Sequence, residues 1–475
     1  DAGVTYADVS DGDHVFMVVA TNADGESGPR ALWAWTVDTV APTIEMSGAP
    51  VDSTESTAAF EFECGGDKDC TFECTLDING ASGVWQSCSS AVSFDELEPG
   101  DYVFRLRATD GAGNQAEHEH GWKVLVDGWL TVNAAWTHTC AITSDGALWC
   151  WGENDHGQLG NDTIEESPVP VRVGAERWVQ VSGGTKYTCG IQADQSLWCW
   201  GRNPTGQLGH GDTAEEHVPT RVGTWSDWTQ VVAGDRHTCA IRADGSTWCW
   251  GDGWAGRVGD GTDEERHVPT PVSSNFAGRQ VSAAQGHTCA IDGAGTLWCW
   301  GSNAAGQIGL GAEENALTPV QLLDGWRQVA TGGWHTCAVR ENGALSCTGL
   351  NSDGQLGENT ATPERTSFTV VGSSMDWQEV SSGIRHTCGL RTDKGLWCWG
   401  DNRNGRLGDG TFTMREVPTR IAAGVRWFEI SAGRATTCGI QDDKSLWCWG
   451  DNARGQVGDG TYTVRPLPVE IAVPD

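Results

Sequence analysis

Basic side chains are scarce in this sequence. Lys and Arg number 30 in 475 residues, against 64 Asp and Glu, for a formal charge of −34. So acidic a chain excludes nucleic-acid binding through phosphate contacts, which needs a basic surface. Long apolar runs are missing too, and none approaches the roughly 18–20 residues of a membrane-spanning helix. No P-loop, GxSxG, HExxH or dinucleotide glycine fingerprint stands out, so no enzyme class, metal or cofactor is expected. A charged n-region followed by an apolar core is absent at the start, so any signal peptide has been cleaved or left out. Gly (64), Trp (26) and Cys (18) are abundant instead. Gly at about twice its usual share speaks for many short strands and turns. Eighteen Cys suit an oxidising compartment better than a reducing one.

Residues 12–22 read GDHVFMVVATN and residues 100–110 read GDYVFRLRATD. The first 40 residues therefore read as the last strands of a domain that begins upstream, with a full copy at about 41–127. The linker TVAPT at 39–43 separates the copies, and Pro42 there cannot extend a ladder. Tyr102-Val103-Phe104-Arg105-Leu106-Arg107 alternates as a half-buried strand does. Residues 1–127 hold 24 acidic and 5 basic side chains, so this part is the more acidic per residue. The phrases TFECTLD at 71–77 and ATDGAGN at 108–114 resemble the Ig-like modules found in tandem on bacterial surface proteins. That resemblance implies a β-sandwich stalk on a longer multidomain chain. Of the three pairings open to its four cysteines, Cys64 with Cys70 and Cys74 with Cys88 is favoured.

From residue 128 the chain repeats with a period near 50. Cys pairs recur as Cys140 and Cys150, Cys189 and Cys199, Cys239 and Cys249, Cys289 and Cys299, Cys337 and Cys347, Cys388 and Cys398, and Cys438 and Cys448. Each repeat offers four short strands, with a hairpin turn such as Ala-Asp-Gly between the second and third. Seven four-stranded units predict an all-β, seven-bladed β-propeller over 128–475. Small segments such as Ser182-Gly183-Gly184 and Ser431-Ala432-Gly433 are expected innermost, where strands crowd the axis. The phrases HTCAI, LWCWG and GQLG resemble the repeats of the regulator of chromosome condensation. The resemblance covers about 128–475, and repeat five departs from it with Ser346-Cys347-Thr348. It implies a propeller that serves as a protein-interaction platform. The founding member exchanges guanine nucleotides on a nuclear GTPase and binds chromatin, roles at odds with a disulfide-rich chain.

A spacing of ten around a turn is unlike the close Cys pairs of structural zinc. It sets the two Cys opposite each other, with Cβ atoms about 4.5–5.5 Å apart, and predicts a disulfide in each blade. Buried free thiols are the alternative in a reducing compartment. Trp149 and Trp151, Trp198 and Trp200, Trp248 and Trp250, Trp298 and Trp300, Trp397 and Trp399, and Trp447 and Trp449 flank these Cys. Both members of each pair are expected to pack between blades. The His before Thr-Cys recurs at His138, His237, His287, His335 and His386, with Tyr187 and Thr436 at the other two sites. Hydrogen bonding within the blade explains such exchange better than metal binding or titration. GDGT at 408–411 and 458–461 lacks the alternating carboxylates of a calcium loop and reads as a turn.

Positions that vary between repeats are free to carry function. Just before each HTC-like phrase stand Trp136, Lys186, Arg236, Trp334, Arg385 and Arg434 in six of the seven repeats. The loop after LWCWG, expected on the same face, adds Trp254 and Arg403. Trp and Arg are enriched at interface hot spots, so these eight are the candidate partner-binding residues. The expected protein is an extracellular or surface-anchored binder, with a monomeric head that recognises a protein or a glycan. A secreted relative within the family inhibits β-lactamases through a propeller face, which makes an enzyme inhibitor the nearest alternative. A polysaccharide-active enzyme at the propeller axis is the second alternative, and no acid–base pair can be named for it.

Overall fold

The computed structural model describes residues 4–53, 55–65, 70–124, 128–273, 277–360 and 362–474. It divides into two units, Asp1–Val126 and Asp127–Asp475. The junction at 125–127 and most of the GGDKD loop expected between Cys64 and Cys70 lie outside the described residues.

The first unit opens with a hairpin of Gly12–Thr21 and Ser27–Val37, which leaves Val15, Met17, Leu32 and Trp33 exposed. Two further sheets follow. One holds Thr43–Ser47, Ala58–Gly65 and Val92–Phe94; the other holds Gln86–Cys88, Thr71–Ile78, Gly100–Thr109 and Gln115–Val124. The alternation in 102–107 turns Tyr102, Phe104 and Leu106 inward, where they meet Phe60 and Phe62 of the other sheet. The Tyr102 hydroxyl donates to Glu98 O at 2.7 Å. Both favoured disulfides are present, Cys64 with Cys70 and Cys74 with Cys88.

The second unit is built from four-stranded antiparallel sheets, each made from consecutive strands. Sheet 1 comprises Trp129–Ala134, His138–Thr143, Leu148–Gly152 and Ser167–Arg172. Six more follow in chain order, and sheet 7 ends with Arg465–Ile471. Among the described residues the only helical piece is the short turn Trp254–Gly256.

Every sheet carries its expected disulfide. Cys140 stands directly opposite Cys150, Cys189 opposite Cys199, Cys239 opposite Cys249 and Cys289 opposite Cys299. Cys337 faces Cys347, Cys388 faces Cys398 and Cys438 faces Cys448 in the same way. All seven pairs are bonded and buried, with Cα atoms 4.1 Å apart. Bonding replaces the alternative of buried free thiols, because facing positions on neighbouring strands already bring the sulfurs within reach.

Side chains tie neighbouring sheets together along their first strands. Gln180 Oε1 accepts from Val231 N at 2.8 Å. Gln328 accepts from Val380 N at 2.9 Å and donates through Nε2 to Val380 O at 2.8 Å. The amide thus satisfies both backbone groups of a residue in the next sheet, as a strand partner would. Sheets 6 and 7 carry Glu379 and Glu429 at this position, and Glu429 accepts from Thr131 Oγ1 at 2.8 Å. A second girdle runs through Ser182, Ser431 and Asn133, which accept from Ala233 N, Ala134 N and Gly183 N.

The small residues at the ends of these strands do line the axis. A Cβ on Gly383 would lie 2.3 Å from Gly433 O, and one on Gly433 would lie 2.3 Å from Ala135 O. Backbone carbonyls cannot yield without spreading the sheets. Gly383→Ala is therefore expected to cost about 1–3 kcal/mol, seen as a lowered melting temperature.

Both Trp of each pair pack between sheets, but to different depths: the second is fully buried, while Trp149 and its counterparts are half-buried against the inter-sheet clusters. Trp151 donates through Nε1 to Gln456 O at 3.0 Å in sheet 7, and Trp200 to Gln158 O at 3.0 Å in sheet 1. The other fully buried Trp come from the start of the first strands: Trp129 meets Trp151 edge-on at 6.0 Å, and Trp178 meets Trp200 at 5.6 Å. In sheet 5, Thr348 donates to Gly306 O at 2.8 Å, and Phe368 packs on Trp326 at 5.1 Å where the missing Trp would lie.

The His residues bond between sheets rather than within one. His138 Nε2 lies 2.8 Å from Thr188 Oγ1, whose own hydrogen goes to Gln158 O at 2.8 Å. The Thr must then accept, so the imidazole is the neutral Nε2–H form. His287 repeats the contact with Thr336 at 2.7 Å. Burial holds His138, His287 and His335 near pKa 3 and His237 and His386 far below the usual imidazole value. They stay neutral at physiological pH.

Candidate functional site

The loops after the first and third strands of each sheet share one face, as expected. Glu153 N donates to Thr137 O at 3.0 Å, Asp252 N to Arg236 O at 2.9 Å and Asp401 N to Arg385 O at 2.9 Å. In the longer loop one buried Asn ties the two ends together. Asn402 Oδ1 accepts from Leu407 N at 3.1 Å, and its Nδ2 donates to Thr411 O at 3.0 Å and Thr413 O at 3.1 Å. The GDGT aspartates serve the same loop. Asp409 accepts from Thr411 N and from Arg415 Nε at 2.8–2.9 Å, so its carboxylate is occupied by protein donors. A turn is what this motif builds.

At the centre of the ring is a cavity of about 150 Å³ lined by small residues such as Gly183, Ala233 and Ser381. It is well below the about 300–1,000 Å³ of ordinary ligand pockets. Trp136 and Arg434 are part of its wall, and among the described residues no Asp, Glu or His lines it.

The structure joins some of the eight candidates and separates others. Arg434 of sheet 7 lies over the Trp136 ring of sheet 1 at 5.5 Å. Arg385 and Arg403 share Asp353, each at 2.8 Å, and Arg403 also reaches Asp401 at 2.9 Å. Lys186 is half-buried and neutralised by Asp155 at 2.6 Å and Glu153 at 3.3 Å. Arg236 is exposed beside Asp235 at 3.9 Å. Trp254 is exposed, with the buried Arg257 under its ring at 5.1 Å. Trp334 is half-buried.

Sequence reading missed the acidic partners Glu153, Asp353 and Asp401. A signal was available for two of them. The residue directly after the third strand is acidic at Glu153, Asp252, Asp401 and Asp451, beside the first-strand loops that carry the cations.

Repeated four-stranded sheets arranged about a small-residue axis define a β-propeller. Residues 123–365 match the family model of the RCC1-like domain, and 377–406, 429–456 and 393–440 match models of the regulator of chromosome condensation (RCC1) repeat. The chain belongs to the RCC1-like domain family. It is 39% identical over 67 residues to the ultraviolet-B receptor UVR8 of Arabidopsis thaliana, a match that covers 13% of this chain and 15% of that protein. The solved structure of human WBSCR16 is similar at 22% identity and TM-score 0.62, covering 69% of this chain and 94% of that one. Yeast RCC1 (Prp20), solved bound to Kap60, is similar at 19% identity and TM-score 0.62, covering 73% and 84%. At these identities the likeness to solved structures is one of fold.

Proposed function

We propose that this is an extracellular, non-enzymatic binding protein whose seven-bladed head, residues 128–475, recognises a protein partner. Ig-like modules of the kind carried by bacterial surface proteins, within 1–40 and over 41–127, form its stalk. The observation that carries the reading is the gathering of Trp and Arg side chains on one face, held on loops with little freedom to lose. Pairing of every cysteine supports an oxidising location. The Tyr102–Glu98 bond resembles the tyrosine corner of Ig-like sandwiches and supports the stalk. A protein is favoured over a glycan because yeast RCC1, of the same fold, is found with a protein bound. The axial cavity lacks an acid and a base, which argues against the polysaccharide-active alternative.

Panning a phage-displayed dodecapeptide library on the immobilised 475-residue chain tests this. Enriched binders are expected to lose the variant in which Trp136, Arg236, Trp334 and Arg385 are all Ala, while its melting temperature stays unchanged. Equal binding to that variant rejects the face. A library that enriches nothing rejects the binding function.

A further inference from the structure

Between sheets 1 and 2 lies an open cleft of about 410 Å³, within the about 300–1,000 Å³ of ordinary ligand pockets. Among the described residues none of the eight candidates lines it. One wall is the half-buried Trp198, whose Nε1 donates to Ser196 Oγ at 2.7 Å.

In other sheets the chain itself covers this Trp. In sheet 3 Trp225 packs on the matching Trp248 with ring centroids 4.9 Å apart, and Arg242 lies over Trp225 at 4.4 Å. In sheet 6 Arg391 lies over Trp397 at 4.1 Å. Sheet 2 has neither cover. Glu176 stands in the loop before its first strand, where sheet 3 has Trp225. Gln192 stands opposite Trp178, as Arg242 stands opposite Trp228 and Arg391 opposite Trp377. Two exchanges thus leave a cleft where sheet 3 has a packed joint.

The polar groups lining the cleft include both donors and acceptors. Arg172 uses Nε on Gly174 O at 3.2 Å and lies 5.9 Å from the Trp149 ring, which leaves its terminal N–H groups to donate. Asn161 Oδ1 accepts from Thr163 Oγ1 at 2.8 Å and from Asn154 Nδ2 at 3.3 Å, which leaves its own Nδ2 to donate. Glu176 Oε2 accepts from Ala175 N at 3.0 Å, which leaves Oε1 to accept. Asp162 adds a carboxylate, and the Gln192 amide serves in both senses. A cation brings only donors and leaves Arg172 and Asn161 unmet. An anion brings only acceptors and is opposed by Glu176 and Asp162. A flat aromatic ring meets neither set. A sugar ring carries hydroxyls that donate and accept, and its apolar C–H face suits the negative face of an indole.

We infer that this cleft binds a neutral pyranose ring, stacked on Trp198 and held through its hydroxyls by Gln192, Glu176, Asn161 and Arg172. The site is separate from the loop face and does not depend on the protein partner proposed above.

The test is saturation-transfer difference NMR on the full chain with the methyl glycosides of glucose, galactose, mannose and N-acetylglucosamine. At least one is expected to receive magnetisation, most strongly at the C–H protons of one ring face. Glu176→Trp with Gln192→Arg, which copies the cover of sheet 3, is expected to weaken that ligand at least about tenfold while the melting temperature holds or rises. Trp198→Phe keeps a smaller stacking face and is expected to weaken it less. Phe428→Ser, on sheet 7, is expected to leave it unchanged. Silence of all four glycosides overturns the inference, as does undiminished transfer in the covered variant. Transfer to methylguanidinium or indole that the covered variant abolishes, with the glycosides silent, also overturns it, since the occupant is then a cation or an aromatic ring.

Discussion

Replacing Glu379 and Glu429 by Gln is expected to stabilise the protein, and most strongly in mild alkali. Both glutamates occupy the girdle position where Gln328 accepts from the Val380 N–H and donates to its carbonyl. A carboxylate reproduces the first contact and opposes the second; a protonated carboxyl reproduces both. Burial, with the Glu429 charge nearby, pushes Glu379 up to about 8, and burial raises Glu429 to about 7, from an ordinary 4.5. Lys394 faces Glu379 and Lys444 faces Glu429, and both act in the opposite sense. The folded state therefore binds more protons than the unfolded chain between pH 4.5 and 8. Its stability falls as pH rises through that window, by linkage. Gln has no charge to lose. The double variant's advantage is expected to grow by about 2–3 kcal/mol between about pH 5.5 and 8.5, after allowance for the half-exposed side chains. Thermal melts at the two pH values check it, and an advantage equal at both would reject the explanation.

Reduction is expected to proceed in two stages. Native treatment with dithiothreitol followed by alkylation labels the four cysteines of the first unit first, since Cys64, Cys70 and Cys88 are accessible to solvent. The fourteen others are buried to within 1% of exposure and react only when their sheets open. Each blade bond closes a separation of 10 residues and contributes about 2–3 kcal/mol in the loop-entropy model. Seven together, about 14–21 kcal/mol, match or exceed the usual net stability of a domain, about 5–15 kcal/mol. The chain reduced in denaturant is accordingly expected not to regain its native spectrum after the denaturant is removed while reductant remains. Peptide mapping gives the order of labelling, and near-ultraviolet circular dichroism of the abundant Trp follows folding. Early labelling of Cys140 or Cys438 would contradict the burial argument.

What could be read without coordinates was whatever repeats locally. The spacing of Cys140 and Cys150 across a hairpin turn determines a facing pair from strand geometry alone, and the small residues before HTC imply crowding. Pairing between repeats is different, because the partner lies about 50 residues away. That is why His138 could be recognised as a hydrogen-bonding residue while Thr188, its partner, could not. The buried Trp129 series was hidden for a geometric reason. The register shift between Trp129 and Thr131 breaks the two-residue alternation, so Trp129 and Val132 face inward together. At the candidate face the residue types were visible but their pairing was not. Arg385 and Arg403 belong to different loops, and only the fold shows that Asp353 from sheet 5 serves both.

The way neighbouring sheets are joined has a consequence for how such a chain can change. Every sheet of the second unit is made from one continuous stretch, and the joint between sheets 7 and 1, with Trp151 on Gln456 O, repeats the joint between sheets 1 and 2, with Trp200 on Gln158 O. Among the described residues no strand is lent across the seam, so the joint that closes the circle is built like the others. Whole sheets are therefore the repeating units of this design, and one can differ at its rim, as Phe412 and Tyr462 differ from Thr213 and Asp263 at the matching position, without disturbing the joints on either side.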